Sequence, residues 1–402
     1  MCGKVLAFQL KTSVISSLSL KRALSGLERE RKLTKLSNRL TSLPKGKKRA
    51  LKFLYGFLLF GVFLASAEMI LRIKGFRPWQ PGPANILVEP GGRFFKKDPL
   101  LGFAHLPGAF KVTLPDGYVF HATHNSDSLR VTHPPHANPA HSDKPEIWIF
   151  GCSFTHGWSL NDEETFPWLL QEALPGYEVV NFGVNGFGTL QSFLQFQKAL
   201  TERKPPRLVI LAYMGGHNIR NTLNRSWRKQ LAPQRAWGQW DQPYAYLDSK
   251  GDLQFTMSNA SVFKEFPFMR ISALAHFLEI KYDWLEDRTT QGPEISRKII
   301  QKFKELSVPS GIQLTVATLR DDSVTQGMLE YCRKNGIPAG DISVDLTRKE
   351  NNNLPHDGHP SAWANRQYAA KLQSFLLENS LVDRNSLSRT VSQPGGLSKS
   401  FQ

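Results

Sequence analysis

Ile147-Trp148-Ile149-Phe150-Gly151-Cys152-Ser153-Phe154-Thr155 begins as four apolar residues and breaks at a glycine into a serine. The apolar run shows no polar alternation, so a strand here is buried on both faces. Runs at 178–181, 208–212 and 313–317 have the same form, each bounded by Gly or Pro, and 342–345 is a weaker fifth. Helical stretches separate them, at about 164–174, 190–202, 293–306, 324–335 and 362–379. Strands covered on both faces and alternating with helices specify an α/β fold. The expected form is three αβα layers around a parallel, flavodoxin-like five-stranded sheet. Between the third and fourth strands lies an aromatic-rich insertion, 221–290, whose second half, 270–288, has the pattern of an amphipathic helix.

At 402 residues the chain is long enough for one sizeable domain with appendages, and 41% hydrophobic with 21% charged residues is ordinary for a folded protein. The net charge of +17 is not spread evenly. Residues 1–50 hold thirteen Lys/Arg against two Glu, which leaves +6 for all the rest. Nucleic-acid binding wants basic residues across a folded surface, with aromatics between them, and that pattern is missing. The three cysteines, Cys2, Cys152 and Cys332, have neither metal-ligand spacing nor an even framework, and the latter two read as small buried residues. His133, His136 and His141 sit among prolines without regular spacing and read as loop residues rather than ligands. No metal and no cofactor is implied.

The basic N-terminal stretch ends in Lys45, Lys47, Lys48 and Arg49 and is followed by fifteen uncharged residues, 53–67. It reads as a weakly ordered tail, with 27–43 open to a basic amphipathic helix on a membrane surface. A start further downstream in the chain also remains open. From Phe53 to Ile73, 21 residues at ~1.5 Å each just span a ~30 Å hydrocarbon layer. Glu68 and Arg72 are four apart and share a helix face, so they can pair. The Lys/Arg excess ahead of this segment puts the N-terminus inside and the bulk outside. Ala65-Ser66-Ala67 also fits a signal-peptide cleavage site, but the long extension before it favours an uncleaved anchor. A core helix would not carry so many aromatics beside so basic a flank. The expected division is a basic cytoplasmic tail (1–52), a transmembrane anchor (53–73), an extracytoplasmic linker or small β region (74–144), the α/β domain (145–380) and a disordered tail (381–402). The expected location is a bacterial inner membrane, crossed once, with the α/β domain on the periplasmic side.

In open α/β sheets, ligands bind beyond the carboxyl ends of the strands. Four polar, glycine-containing loops fall there: Gly151-Cys152-Ser153, Asn181 to Gly186, Gly215-Gly216-His217-Asn218 and His356-Asp357-Gly358-His359-Pro360. Together they hold a serine, an imidazole, a carboxylate and several donors for a developing oxyanion. Acyl transfer needs that set, because a serine hydroxyl attacks only when a base takes its proton and a carboxylate holds the base in the right tautomer. Ser153 taken alone could equally cap the next helix.

These blocks resemble those of the SGNH/GDSL hydrolase superfamily over about 146–378, and most nearly its bacterial members with an N-terminal membrane segment. Gly-Cys-Ser-Phe-Thr and Asp162-Glu163-Glu164-Thr165-Phe166-Pro167 carry the likeness to that subgroup. The resemblance implies Ser153 as nucleophile and, through its N–H, as one oxyanion donor. Gly186, five residues after Asn181, would be the second donor, His359 the base and Asp357 its orienting acid. Two departures stand out. The third block has Gly-Gly-His-Asn where Gly-x-Asn-Asp is usual, which leaves His217 or Asn218 as the third donor; Asn218 is favoured because a neutral amide donates at any pH. Asp357 and His359 are separated by one residue rather than two, and His356 is a flanking competitor for the base. Cys152 stands in the family's aspartate position and should point away from the site. Asn125 and Arg130 match a segment of the same relatives that precedes the core, with a substrate or structural role open.

The resemblance implies an ester hydrolase acting on an acylated carbohydrate or lipid outside the cytoplasm. O-acetyl transfer to or from a cell-surface polysaccharide would use the same residues, and a non-catalytic scaffold in an envelope polysaccharide machine is the reading from another class. Trp227, Trp237, Trp240, Tyr244 and Tyr246 of the insertion suit either a satellite core or stacking on sugar rings.

Overall fold

The computed structural model describes residues 29–32, 34–35, 44–81, 86–134, 143–231, 241–259 and 263–384. The chain divides into two compact units. One comprises the segment up to Pro78 together with Arg270–Leu274; the other runs from Trp79 to Met269 and from Ala275 onward.

In the first unit α1 spans Lys45–Ile73, 29 residues with no buried side chain and the length and hydropathy to cross a membrane. Arg72 Nε donates to Glu68 Oε1 at 2.6 Å, the expected pairing. Glu68 also accepts from the backbone N–H groups of Ala273 and Leu274. Of 27–43, the described residues 29–32 and 34–35 are helical, and the rest of that stretch lies outside the described residues.

The second unit opens with short antiparallel strands, β1 Leu87–Glu89, β2 Phe95–Asp98, β3 Gly102–His105, β4 Gly108–Thr113 and β5 Val119–His124. They form a β2-β3 ribbon and a β1-β4-β5 sheet. The central sheet follows, with β6 Glu146–Phe150, β7 Glu178–Asn181, β8 Leu208–Tyr213, β11 Gln313–Thr318 and β12 Ala339–Asp341 in the parallel order β12-β11-β8-β6-β7. Numbered within that sheet the order is 2-1-3-4-5, the flavodoxin-like arrangement. Between these strands come α2 Ser153–His156, α3 Phe166–Ala173, α4 Thr189–Glu202, α5 Gly216–Asn221, α6 Arg225–Leu231, the hairpin β9 Asp241–Leu247 with β10 Leu253–Asn259, α7 Ala273–Thr289, α8 Gly292–Ser307, α9 Ser323–Lys334 and, last, α10 Ala362–Glu378.

Alternation along the strands builds two cores. Trp148, Phe150, Val209, Leu211 and Val316 point to the layer of α4, α8 and α9; Ile147, Ile149, Leu208, Ile210 and Ala317 point to the layer of α3 and α10. β6, β7, β8 and β11 are apolar on both faces because each face meets a helix. Phe94, Phe103 and Phe120 belong to the first core. Of the region expected as a linker or small β region, residues 87–124 form these short strands, and their apolar residues fill the same interior as the sheet.

The fifth strand lies at Ala339–Asp341, three residues before the expected 342–345. Ile342 and Val344 are buried against the α10 layer, and the Ile342 N–H makes a last bond to the Thr318 carbonyl of β11. The expected tail also begins late. Leu381 and Val382 are buried, and the backbone N–H of Asp383 donates to the Tyr177 hydroxyl; 385–402 lie outside the described residues.

Candidate active site

The turn after β6 leads directly into α2, whose first residue is Ser153. Cys152, just before it, is wholly buried with its sulfur against Met214, so the thiol faces the core and the serine faces outward. The turn after β7 folds over the same edge. A side chain at Gly183 would strike the α2 backbone, its Cβ 2.5 Å from the His156 nitrogen, so only glycine lets the two loops meet. Gly186 sits at φ +80°, a left-handed conformation that costs glycine little. Among the described residues no acceptor takes the N–H of Ser153 or of Gly186.

The loop before α10 brings an imidazole and a carboxylate to the same edge. His359 Nε2 lies 2.9 Å from Ser153 Oγ. His359 Nδ1 donates to Asp357 Oδ1, and the same oxygen accepts the His359 backbone N–H at 2.7 Å. The one-residue spacing makes that second bond, so a single carboxylate oxygen fixes both the ring and the main chain of the base. Asp357 Oδ2 accepts from Trp158 Nε1 at 3.1 Å. Burial raises the Asp357 carboxyl, but the bonds from His359 and Trp158 outweigh it and the net displacement is below the ordinary carboxylate range. The aspartate is thus ionised at neutral pH, holds the proton of His359 on Nδ1, and leaves Nε2 free to accept from the serine. Phe154 packs edge-on against the His359 ring at 5.5 Å.

These groups open on a cleft of about 260 Å³, whose walls include Trp158, Trp227, Leu231, Arg220, Asn185 and Gly186. Arg220 donates to the Phe187 carbonyl and lies 4.8 Å above the Trp227 ring. Ser153, Asp357, His359 and Gly186 therefore converge as expected. His356 is elsewhere: its ring stacks on Tyr118 and Nδ1 pairs with Asp116 Oδ2 at 2.5 Å, so it is not placed to act on Ser153.

The third block sits differently from the other three. Neither Asn218 nor His217 is among the described residues lining the cleft. Asn218 Oδ1 accepts from the Tyr213 hydroxyl and from the hydroxyl of Ser296 on α8, and among the described residues no group accepts from its Nδ2. His217 is fully buried with Nδ1 3.3 Å from Thr189 Oγ1, and burial holds it neutral. Their places in the fold follow from α5, whose first turn drives both side chains inward.

Arg130 proves structural. Its buried guanidinium donates to the carbonyls of His121, His156, Gly157 and Leu160 and to Asp162, which ties the loop after α2 to the β1-β4-β5 sheet. Asn125 caps its own turn by accepting from Asp127 and Leu129. Of the insertion aromatics, Trp227 lines the cleft and Tyr244 packs in the satellite core with Leu223, Trp227 and Leu231; Tyr246 is partly exposed, and Trp237 and Trp240 lie outside the described residues. His133 pairs with Glu178 at 3.2 Å, and His136 and His141 lie outside the described residues.

Sequence reading did not find Trp158, Asn185 or a buried cluster of His105, His124 and His156 behind the cleft. Asn185 is the sequence neighbour of Gly186, but nothing local fixes which way its amide turns. The histidines come from β3, β5 and α2, and nothing in their spacing announces that they meet.

No protein-family model matches the chain, and no curated protein matches it. Solved structures to which it is similar include a member of the lipolytic protein G-D-S-L family from Veillonella parvula DSM 2008, at 12% identity over 57% of this chain and 96% of that one, TM-score 0.33. Another is the psychrotrophic esterase EstA from Pseudoalteromonas sp., at 9% identity over 59% and 99%, TM-score 0.36. A third is an acetyl xylan esterase, at 14% identity over 57% and 98%, TM-score 0.33.

Proposed function

We propose that the chain is a membrane-anchored serine ester hydrolase that removes a short acyl group from a carbohydrate outside the cytoplasm. The observation that carries this reading is the unbroken chain Asp357–His359–Ser153, with 2.9 Å between imidazole and hydroxyl, at the mouth of a cleft beyond the strand ends.

In the first half-reaction His359 Nε2 takes the Ser153 proton as Oγ attacks the ester carbonyl. The tetrahedral oxyanion accepts from the N–H groups of Ser153 and Gly186. The imidazolium, held by Asp357, gives its proton to the departing alkoxide, and the C–O bond breaks to leave an acyl-serine. In the second half-reaction His359 takes a proton from water, hydroxide adds to the acyl carbonyl, and collapse returns the proton to Ser153 Oγ with release of the acid. Transfer to a sugar hydroxyl would differ only in the species that enters at this second step.

The substrate class rests on the cleft walls. The Trp158 and Trp227 indoles give apolar and stacking surface, while Arg220 and Gln230 give donors to hydroxyls. The side of the membrane rests on the thirteen Lys/Arg of residues 1–50, which precede the apolar span 53–73 and favour the inner face.

A fluorophosphonate probe tests the chemistry. It should label the purified wild-type chain and not Ser153→Ala. A folded wild type that neither labels nor hydrolyses p-nitrophenyl acetate would sink the enzymatic reading and return the chain to a scaffold role. Among p-nitrophenyl esters, acetate should exceed laurate in kcat/KM; the opposite order would point to a lipid substrate.

A further inference from the structure

We propose that Asn185 is the third oxyanion donor of this site, and that His105 is the positioning residue that aims its amide into the cleft. The inference rests on the serine-hydrolase reading and adds a side-chain donor that lines the cleft, as neither third-block residue does. Asn185 is buried except where it lines the cleft beside Ser153 and Gly186. Its Oδ1 lies 3.3 Å from His105 Nε2, and among the described residues no group accepts from its Nδ2.

The proton positions follow from the partners. The Leu106 carbonyl can only accept, so His124, 2.9 Å away at Nδ1, carries its proton there. The bare His124 Nε2 then accepts from His156 Nε2–H at 3.0 Å. His105 Nδ1 is buried without a partner. A proton there would bury an unpaired donor, a rarer and costlier fault than a bare acceptor, so the proton belongs on Nε2. His105 therefore donates to Asn185 Oδ1 and can only be satisfied when the Asn185 NH2 group faces the cleft. Burial first, then the neighbouring histidines and Arg130, hold His105 and His156 neutral, which keeps this pattern fixed across the physiological range. The rings are locked as well. His105 and His124 stack at 4.3 Å with 9° between planes, and the edge of Phe94 meets all three imidazoles.

Three clustered imidazoles also invite a metal reading. An ion must lie in the plane of each imidazole that binds it, and two parallel rings stacked face to face have no common plane. The stack therefore serves as a rigid support for Asn185 and not as a ligand set.

The test uses the full chain in detergent, with p-nitrophenyl acetate as substrate. Asn185→Ala should lower kcat by ~10²–10³-fold with KM within about threefold of wild type, since the donor acts on the transition state. Asn185→Asp keeps the shape and still accepts from His105, so it guards against misfolding of the alanine variant, and it should lose at least as much. His105→Leu should lower kcat by about tenfold, and His105→Gln, whose amide can donate from the Nε2 position, should recover to within about threefold. A merely structural role would lower both His105 variants alike. Wild-type activity with full turnover in Asn185→Ala and Asn185→Asp overturns this inference and leaves the hydrolase intact. Equal damage by Leu and Gln removes His105 from the role, and stoichiometric zinc in the purified wild type removes the support reading. Absence of any Ser153-dependent turnover in the wild type removes both proposals.

Discussion

Replacing Asp357 by asparagine isolates the charge behind the base, because the local hydrogen bonds dictate how the new amide must sit. Asp357 Oδ1 faces two donors, the Nδ1–H and the backbone N–H of His359, and Oδ2 faces one, Trp158 Nε1–H. An amide with its oxygen toward Trp158 would set its NH2 group against two N–H groups. With its oxygen toward His359 it loses only the indole bond, so the second orientation prevails and His359 keeps its proton on Nδ1. The loss is then electrostatic: the imidazolium formed during attack has no counter-charge. Two unit charges about 4 Å apart at an effective dielectric of ~20 interact by ~4 kcal/mol, which is about 10³-fold in rate. Asp357→Asn should lower kcat for p-nitrophenyl acetate by that factor, with KM little changed, and slow fluorophosphonate labelling of Ser153 equally. A wrong tautomer would cost more, about 10⁴-fold as in other triads. A variant within tenfold of wild type, with its fold verified by circular dichroism, would refute the role assigned to Asp357.

Acid should destabilise the second unit well above the pH at which carboxylates titrate. His124 is pushed by burial, and then by Arg130, from 6.5 down to about 3 in the folded chain. Between those values the unfolded chain binds a proton that the folded chain does not, so the stability present above pH 6.5 is lost as pH falls toward 3. At pH 5 this group alone removes ~2 kcal/mol, at about 1.4 kcal/mol per pH unit, and a Tm unchanged between pH 7.5 and 5 would contradict it. Arg130→Met should destabilise by ~3–5 kcal/mol in urea unfolding, because Asp162 and four carbonyls lose their donor; a loss under 1 kcal/mol would deny the anchoring role. Asn218→Ala strips an acceptor from two buried hydroxyls and should cost ~1–3 kcal/mol of stability, while kcat per folded molecule stays near wild type. A hundredfold fall in that kcat would put Asn218 back among the oxyanion donors. An alkaline phosphatase fused after Pro78 should be active in cells if the Lys/Arg-rich flank stays inside, and an inactive fusion would reverse the orientation.

The sheet could be read from the sequence because four of its strands are apolar on both faces, as only strands between two helical layers are. β12 broke the rule: Ala339-Gly340-Asp341 pairs through its backbone with only one small apolar side chain, and the larger buried ones, Ile337, Ile342 and Val344, flank it. The proposed nucleophile, base and acid were legible for a related reason, since each lies at the carboxyl end of a strand or just before a helix, where topology forces convergence. The third oxyanion donor was not. Block spacing locates Asn218 along the chain, but the direction of a side chain on α5 depends on what lies beneath it: Asn218 Oδ1 meets the Tyr213 and Ser296 hydroxyls, and the residue is not among those lining the cleft. Asn185 stood unnoticed one residue from a recognised glycine because its orientation is set by His105, eighty residues earlier, whose own tautomer is set by an unpartnered ring nitrogen. Periodicity encodes which face of an element is buried; it carries no record of which long-range partner a buried polar atom finds. Positions fixed by the backbone could thus be assigned from sequence, and positions fixed by side-chain hydrogen bonding had to await the fold.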